Sequence, residues 1–536
     1  MKNIIASAFV LAVGSFALTS CMDETFPTSG LTEGQLTESS KALSSLANGM
    51  PGYMIKNNIW DEGQTDFGYP SRMIIRNLQT QDCLQNYNGY QHFYWAQNAT
   101  IAMNDQYLLC QSQWYYYNFQ VQACNNLISQ IDENTEEPVL QNLLAQGLAY
   151  RASTYLDMAR TYEFLPNATV SPVNSDGNDV TGLTVPVCTP GMTEEEKANN
   201  PRLTHDQMRD FLIGDLTKAE QLFMSSRIAR TSKLLPDLGV VYGLMARVYM
   251  WDEDYPKAAE YARKAITTSG AQPLTRAEFT DQLKGFNSLS PSAWMWGLKQ
   301  ESNNDVVQSA ACWGAFMIPE CNLGYSGNLH CSISIDRMLY QQISNDDWRK
   351  LLFKAPSGSA LSGKEIFLSD AKGKELAAYV GFKFRPGLGD MDNRQNAFST
   401  AIPLMRVEEM YLIEAEATAQ TSPAEGKSLL EDFVRTYRYQ TYTCMANDKE
   451  GIIDECFLQK RIELWGEGQI FFDYKRLDKS VTRQYDGTNW PATSRFNTEG
   501  RPCWLNWPIV QSEAQYNMGV KGWLNPNTGD LFKDAK

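Results

Sequence analysis

Histidine is scarce in this chain: His92, His205 and His330 are the full complement among 536 residues. A zinc centre built on two or three imidazoles would need most of that set to converge, so composition disfavours zinc-enzyme chemistry. Positive charge is also short. Lys and Arg number 47 against 62 Asp and Glu, a formal net charge of −15, which opposes broad attraction to phosphate backbones and removes nucleic acid as an expected partner. Catalytic signatures are missing as well, with no G-x-S-x-G, H-E-x-x-H or C-x-x-C in the chain. Gly426-Lys427-Ser428 looks like the end of a phosphate loop, but Thr421 stands where the first glycine belongs, and a helix start fits better. Gly387-Leu388-Gly389 lacks its third glycine, and Asp390-Met391-Asp392-Asn393 lacks the following glycine and distal glutamate of a calcium loop, so it reads as a solvated turn. No cofactor is expected.

What remains is a folded, water-facing composition: 43% apolar, 20% charged, with 36 Gly and 22 Pro. At roughly 150 residues per domain the length allows up to about four units. Residues 1–20 have a secretory layout, with Lys2 ahead of an apolar run from Ile4 to Leu18 that is too short to span a bilayer. Leu18-Thr19-Ser20-Cys21 resembles the bacterial lipobox, whose cysteine is acylated; the plainer alternative is an ordinary signal cleaved near Ser20. Met22-Asp23-Glu24 resembles the surface-export signal of Bacteroidetes lipoproteins, and residues 21–40 then serve as the lipidated cysteine and its tether. Acyl burial, at about 0.8 kcal/mol per methylene, would hold an acidic body at a membrane without a basic patch. Ten further cysteines are too sparse for a disulfide-stapled scaffold; one or two bridges are expected, among Cys312, Cys321 and Cys331, with the rest as small buried hydrophobes.

The body, 41–536, reads as mainly α. Leu140, Leu143, Leu144, Leu148, Ala152, Tyr155, Leu156 and Ala159 recur at helical spacing, and Pro166 ends that helix. Thr204 followed by Gln207 is a capping box that opens a second helix. From Leu238 to Gly270, Ala246, Ala258 and Ala265 with Tyr242, Tyr249 and Tyr261 fall near tetratricopeptide spacing, where small residues let paired helices approach. Further helices are predicted over 402–420, 424–439 and 452–465. Helical pairs at about 139–270 and 402–475 therefore form one interrupted scaffold, with a loop-rich half packed on one side.

Two inserts, about 56–100 and 284–335, are rich in Gly, Asn, Ser and aromatics without sustained period. With 13 Trp and 26 Tyr against 23 Phe, the chain favours rings that have an apolar face and a polar edge, which suits stacking on sugars. Candidate ligand-binding residues are Trp60, Tyr69, Arg72, Tyr94, Trp95 and Asn98 in the first insert, and Trp313, Phe316, Tyr325 and Asn328 in the second. Aromatics at helical spacing, such as Trp114 to Tyr117 and Phe119, read as core. Glu463 and Glu467, one helical turn apart, have the spacing of an acid/base pair. An ion-pair network is the preferred reading, since Lys460, Arg461, Lys475 and Arg476 stand within reach to neutralise both.

The set Arg151 to Tyr155 with Arg160 and Tyr162, Arg202 with Asp215-Leu216 and Ala219 to Gly270, Pro403 to Arg406 with Tyr411 and Glu414 to Glu416, Arg461 with Glu463, Glu467-Gly468, Phe472-Asp473 and Arg476, then Pro508-Ile509, Glu513 and Asn517, resembles the SusD/RagB family of Bacteroidetes outer-membrane lipoproteins. The resemblance runs nearly the full length in order. It implies a tetratricopeptide-based fold, no enzymatic activity, and capture of an oligosaccharide at the cell surface for import through a SusC-like TonB-dependent transporter. Peptide or another nutrient on the same scaffold is the alternative, and a surface glycoside hydrolase a more distant one. The family's ligand aromatics come from regions that correspond here to the neighbourhoods of Trp95 and Trp313. Lys460 and Gln469 depart from the family pattern at positions that are structural in it.

Overall fold

The computed structural model describes residues 40–57, 65–86, 93–99 and 103–535. Cys21, its leader and Trp60 lie outside the described residues. Eleven helices carry the architecture: α1 (Ser40–Met54), α2 (Tyr69–Leu78), α3 (Leu108–Ile128), α4 (Pro138–Tyr162), α5 (His205–Ser226), α6 (Leu238–Trp251), α7 (Tyr255–Ser269), α8 (Val407–Thr421), α9 (Pro423–Tyr437), α10 (Lys449–Glu463) and α11 (Ile470–Arg476). Sequential packing of α3 on α4, α4 on α5, α5 on α6, α6 on α7, α7 on α8 and α8 on α9 builds a stack, and α10 also packs on α8. The fold is mainly α and tetratricopeptide-like.

Local chemistry sets these elements. The Thr204 hydroxyl accepts from the Gln207 amide while the Gln207 side chain accepts from the Thr204 amide, so two otherwise orphaned donors at the start of α5 are satisfied. Ala246, Ala258, Ala262 and Ala265 are fully buried between α6 and α7, and Tyr261 stacks on Tyr249 at 5.3 Å beside them. Gly426, in the sequence that mimics a phosphate loop, has a packing role. A Cβ there would lie 2.4 Å from the Ala419 amide nitrogen and 2.5 Å from its Cα, because α9 crosses α8 at that point. Gly426→Ala should therefore destabilise the fold by about 1–3 kcal/mol, although alanine's helix propensity recovers up to about 1 kcal/mol. Thermal unfolding reads the difference, and an unchanged midpoint would contradict the close approach.

Three sequence expectations are corrected. The helix predicted from Ile402 begins at Val407 instead. Residues Ala401–Arg406 form a strand, β4, antiparallel to β2 (Trp294–Lys299), and every residue of β4 is buried. A strand covered on both faces is a continuous apolar run with no period of two to reveal it. Second, the inserts are less irregular than their composition suggests: β2 lies in one, and α2 in the other is buried along its whole length. Third, all ten described cysteines are free thiols, nine of them buried, so Cys312, Cys321 and Cys331 form no bridge. They act as small core side chains.

Buried charge ties the scaffold together. Glu463, fully buried, accepts from Arg406 Nη1 (3.1 Å), from Arg438 Nη2 and Nε (2.8 and 2.7 Å) and from Arg349 Nη1 (2.9 Å). Glu467 pairs with Arg406 and Lys383. The network reading holds, but with other partners than those nearest in sequence. Arg461 pairs with Asp82, Lys460 and Arg476 with Glu416 and Asp473, and Lys475 donates to backbone carbonyls.

His205 is held at 2.7 Å from Glu163 and 3.3 Å from Asp252, with its ring 4.0 Å from that of Trp251. Burial disfavours the imidazolium, yet the hydrogen bond and charge of Glu163, aided by Asp252, hold the group above its usual value. A raised folded pKa contributes stability that is fully present below the unfolded value of about 6.5 and is lost as pH rises through the folded one. The stability advantage of the native chain over His205→Gln should accordingly shrink as pH rises from about 6.5 through the raised folded value. Urea midpoints across that range test it; a constant difference would reject the charged pairing.

Candidate functional site

Strand β1 (Cys83–Gln85) pairs antiparallel with β3 (Ile333–Ile335), so residues from the early insert meet residues from the late one. Side-chain and main-chain bonds extend the seam: the Asn86 amide donates to Ser332 O (3.3 Å), Asn86 Nδ2 to Ser334 Oγ (3.1 Å) and Gln85 Nε2 to Cys331 O (3.3 Å). Beside it lies a knot of buried rings. Phe316 stacks on Phe67 at 5.7 Å and meets Phe93 edge-on at 4.9 Å, and Phe67 is itself edge-on to Phe93 at 6.4 Å. Such pairs add about 0.5–1.5 kcal/mol each beyond the area they bury. They fix the two segments to each other.

On top of this knot sit the amphipathic rings. Tyr325 stacks on Phe316 at 4.6 Å with an interplanar angle of 11° and is half-buried. Immediately after Phe93, Tyr94 is half-buried and packs edge-on to Trp95 at 5.0 Å, while Trp95 is 52% exposed. Asn328 is exposed at the end of the turn that carries Tyr325. That turn is tight: a Cβ on Gly327 would lie 2.0 Å from the Cys321 carbonyl oxygen, and its own carbonyl accepts from Lys372 Nζ at 3.3 Å. The other segment is pinned from below. Gln97 Oε1 accepts from the Gln85 amide at 2.6 Å, Gln97 Nε2 donates to Ser494 Oγ, and that hydroxyl donates to Asn98.

The structure thus seats Tyr325 on Phe316, joins Tyr94 to Trp95 directly after Phe93, and leaves Trp95 and Asn328 exposed, with the Phe93–Phe316 contact tying the two segments together. The remaining described candidates are interior. Trp313 is fully buried and edge-on to Phe384 at 5.0 Å. Tyr69 donates to Asp157 at 2.7 Å, and burial raises its phenol above the ordinary value. Arg72 pairs with Asp66 at 2.7 Å and donates to Ser112. Asn98 is buried. In the described positions these four side chains pack and brace; their polar or aromatic character alone gave no sign of depth.

Two features were not singled out in the sequence. Tyr516, Met518 and Trp523 are exposed on the late segment that packs against 199–201. A cleft of about 470 Å³ opens beside α10, lined by Gln81, Gln342, Asp454, Glu455, Lys479 and Ser480, among others. Its aromatic members, Phe457 and Tyr474, are only 5% and 2% exposed, so it offers polar atoms without a stacking face. The acidic turn at Asp390 closes on itself: its carboxylate accepts from the amides of Asp392 and Asn393 at 3.0 and 2.9 Å. Among the described residues no group of three or more His, Cys, Asp or Glu side chains could hold a metal ion.

Residues 376–527 match the family model described as the SusD family. A comparison with curated proteins returns no match. Among solved structures, a SusD-like carbohydrate binding protein from Bacteroides vulgatus ATCC 8482 superposes with a TM-score of 0.70 at 23% identity, covering 90% of this chain and 97% of that one. A SusD superfamily protein from the same organism gives 0.69 at 17% identity, covering 91% and 99%. One from Bacteroides thetaiotaomicron gives 0.63 at 17%, covering 91% and 100%.

Proposed function

We propose, from a chain that is of the SusD/RagB family over residues 376–527 and shares the fold of SusD-superfamily structures, that this protein is a surface binding protein which captures an oligosaccharide. The observation that carries the reading is the exposed Trp95 ring packed edge-on to Tyr94, in a segment that the buried Phe93–Phe316 contact ties to the one bearing Tyr325 and Asn328. An indole face held by packing stacks on the C–H face of a sugar at little entropic cost, and a rim amide orients hydroxyls. The protein acts without catalysis: Glu463 and Glu467, the spaced carboxylates, are both buried and ion-paired with Arg406, Arg438 and Lys383. Acylation at Cys21 anchors it at the outer membrane, and a SusC-like TonB-dependent transporter takes up the ligand.

Titration calorimetry against a panel of glycans tests this, with saturable heat expected for one glycan class. Silence across all classes, together with heat from peptides, would overturn it.

A further inference from the structure

A second cavity, of about 40 Å³, lies where the C-terminal end of α4 meets α6, α8, α10 and α11. It is large enough for more than a single water, which needs about 10–15 Å³ of such volume. Its lining mixes apolar side chains, among them Leu165, Met250, Ile413 and Phe472, with charged ones. Arg160, Arg247, Lys460, Lys475 and Arg476 reach it with Glu163, Glu409 and Asp473, while behind the lining Asp157 pairs with Arg160 and Glu416 with Lys460 and Arg476.

The carboxylates are already engaged. Glu163 accepts from Trp251 Nε1 at 2.6 Å and pairs with His205; Glu409 takes Arg247 at 2.8 and 2.6 Å; Asp473 takes Arg476 at 2.8 Å and Lys460 at 3.3 Å. The donors are not all used. Arg160 Nε and Arg476 Nη1 are buried with no hydrogen-bond partner, on side chains only 10% and 9% exposed. Lys475 Nζ donates to two neutral carbonyls, Thr161 O at 2.9 Å and Glu163 O at 2.7 Å, so that in its ammonium form, the form a bound anion would favour, a third proton is left over. Among the described residues no carboxylate pairs with Lys475, and burial pushes its ammonium well below the usual lysine range, with Arg501 and Arg202 adding to the effect over the opposing charge of Glu163.

A water placed here would accept from these donors but bring two hydrogens of its own that need acceptors. An anion brings acceptor capacity alone and a compensating charge for cations in a low-dielectric site. We infer that this cavity binds a small monovalent anion of halide size, held by Lys475, Arg476 and Arg160. The site is separate from the ring surface, so it stands or falls independently of glycan capture.

The test uses the unmodified chain crystallised in sodium bromide, with data collected at the bromine absorption edge. An anomalous peak in this cavity within hydrogen-bond distance of Lys475 Nζ or Arg476 Nη1 is expected. Bromide ordered elsewhere but only water here would overturn the inference. In solution, bromide should raise the unfolding midpoint saturably, by about 1–3 °C, relative to gluconate at equal ionic strength. The shift should disappear in Lys475→Met. Equal midpoints in the two salts, or an undiminished shift in the variant, would also overturn it; if the variant does not fold, the anomalous map decides.

Discussion

Glu463→Gln should lower the unfolding free energy by about 3–5 kcal/mol, the usual cost of removing one partner from a buried ion pair. Around this position Arg349, Arg406, Arg438 and Lys383 are balanced by Glu463, Glu467, Glu408 and Asp347, and Glu463 alone touches three of the guanidinium groups. An amide is nearly the same size, so the loss is of charge and acceptor capacity, not of volume. One cation is left uncompensated in a fully buried setting, which the remaining carboxylates cannot correct without moving helix ends. Burial by itself would raise this carboxyl, but Arg438, Arg406 and Arg349 outweigh it and hold the group well below the ordinary range. A depressed folded pKa contributes stability that is present above the unfolded value of about 4.3 and lost as pH falls through the folded one. The native chain should therefore lose stability steeply under acid, and the variant less so. Urea unfolding at pH 7 and near pH 2 measures both; a cost under about 1 kcal/mol at pH 7 would contradict the network's role.

Trp313→Ala and Trp95→Ala should separate cleanly, though both were candidates for ligand contact. Trp313 is fully buried against Phe384, so truncation opens a cavity and should cost about 3–5 kcal/mol. Any loss of ligand binding should track the unfolded fraction and be restored by lowering the temperature toward maximum stability. Trp95 is half in solvent, and its removal should change stability by less than about 1 kcal/mol. Glycan affinity should fall about tenfold to thirtyfold instead, the range of a stacked hot-spot ring. Calorimetry paired with thermal unfolding distinguishes the two variants. Equal affinity in Trp95→Ala would move the ligand site elsewhere, with Tyr516 and Trp523 the next exposed rings to vary.

Helices were legible wherever apolar and small residues recur at helical spacing: α4, α5 and the α6–α7 pair follow from leucine, alanine and tyrosine positions, even where, as in α4 and α6, burial extends around the helix. The capping box at Thr204 was legible because its two hydrogen bonds are local. What escaped is what depends on distant residues. β4 lacks any alternation because both of its faces are buried. The partners of Glu463 come from positions 349, 406 and 438, far along the chain, and no local pattern marks them. For the candidate site, composition located the two inserts, but depth divided their rings. Trp313 went inward and Trp95 outward, and the two look alike as residues in polar, glycine-rich stretches.

The seam between β1 and β3 joins segments separated by 246 positions at the Gln85–Cys331 bond. Contacts of such separation close a very long loop and are entropically costly until the intervening chain is ordered. The scaffold helices between them can form from neighbours, whereas the surface bearing Trp95 and Tyr325 exists only once that loop is shut. A chain interrupted part-way through folding would hence carry most of its helix content and none of the surface proposed for recognition, so, on that proposal, ligand binding would serve as a reporter of completed folding where circular dichroism would not.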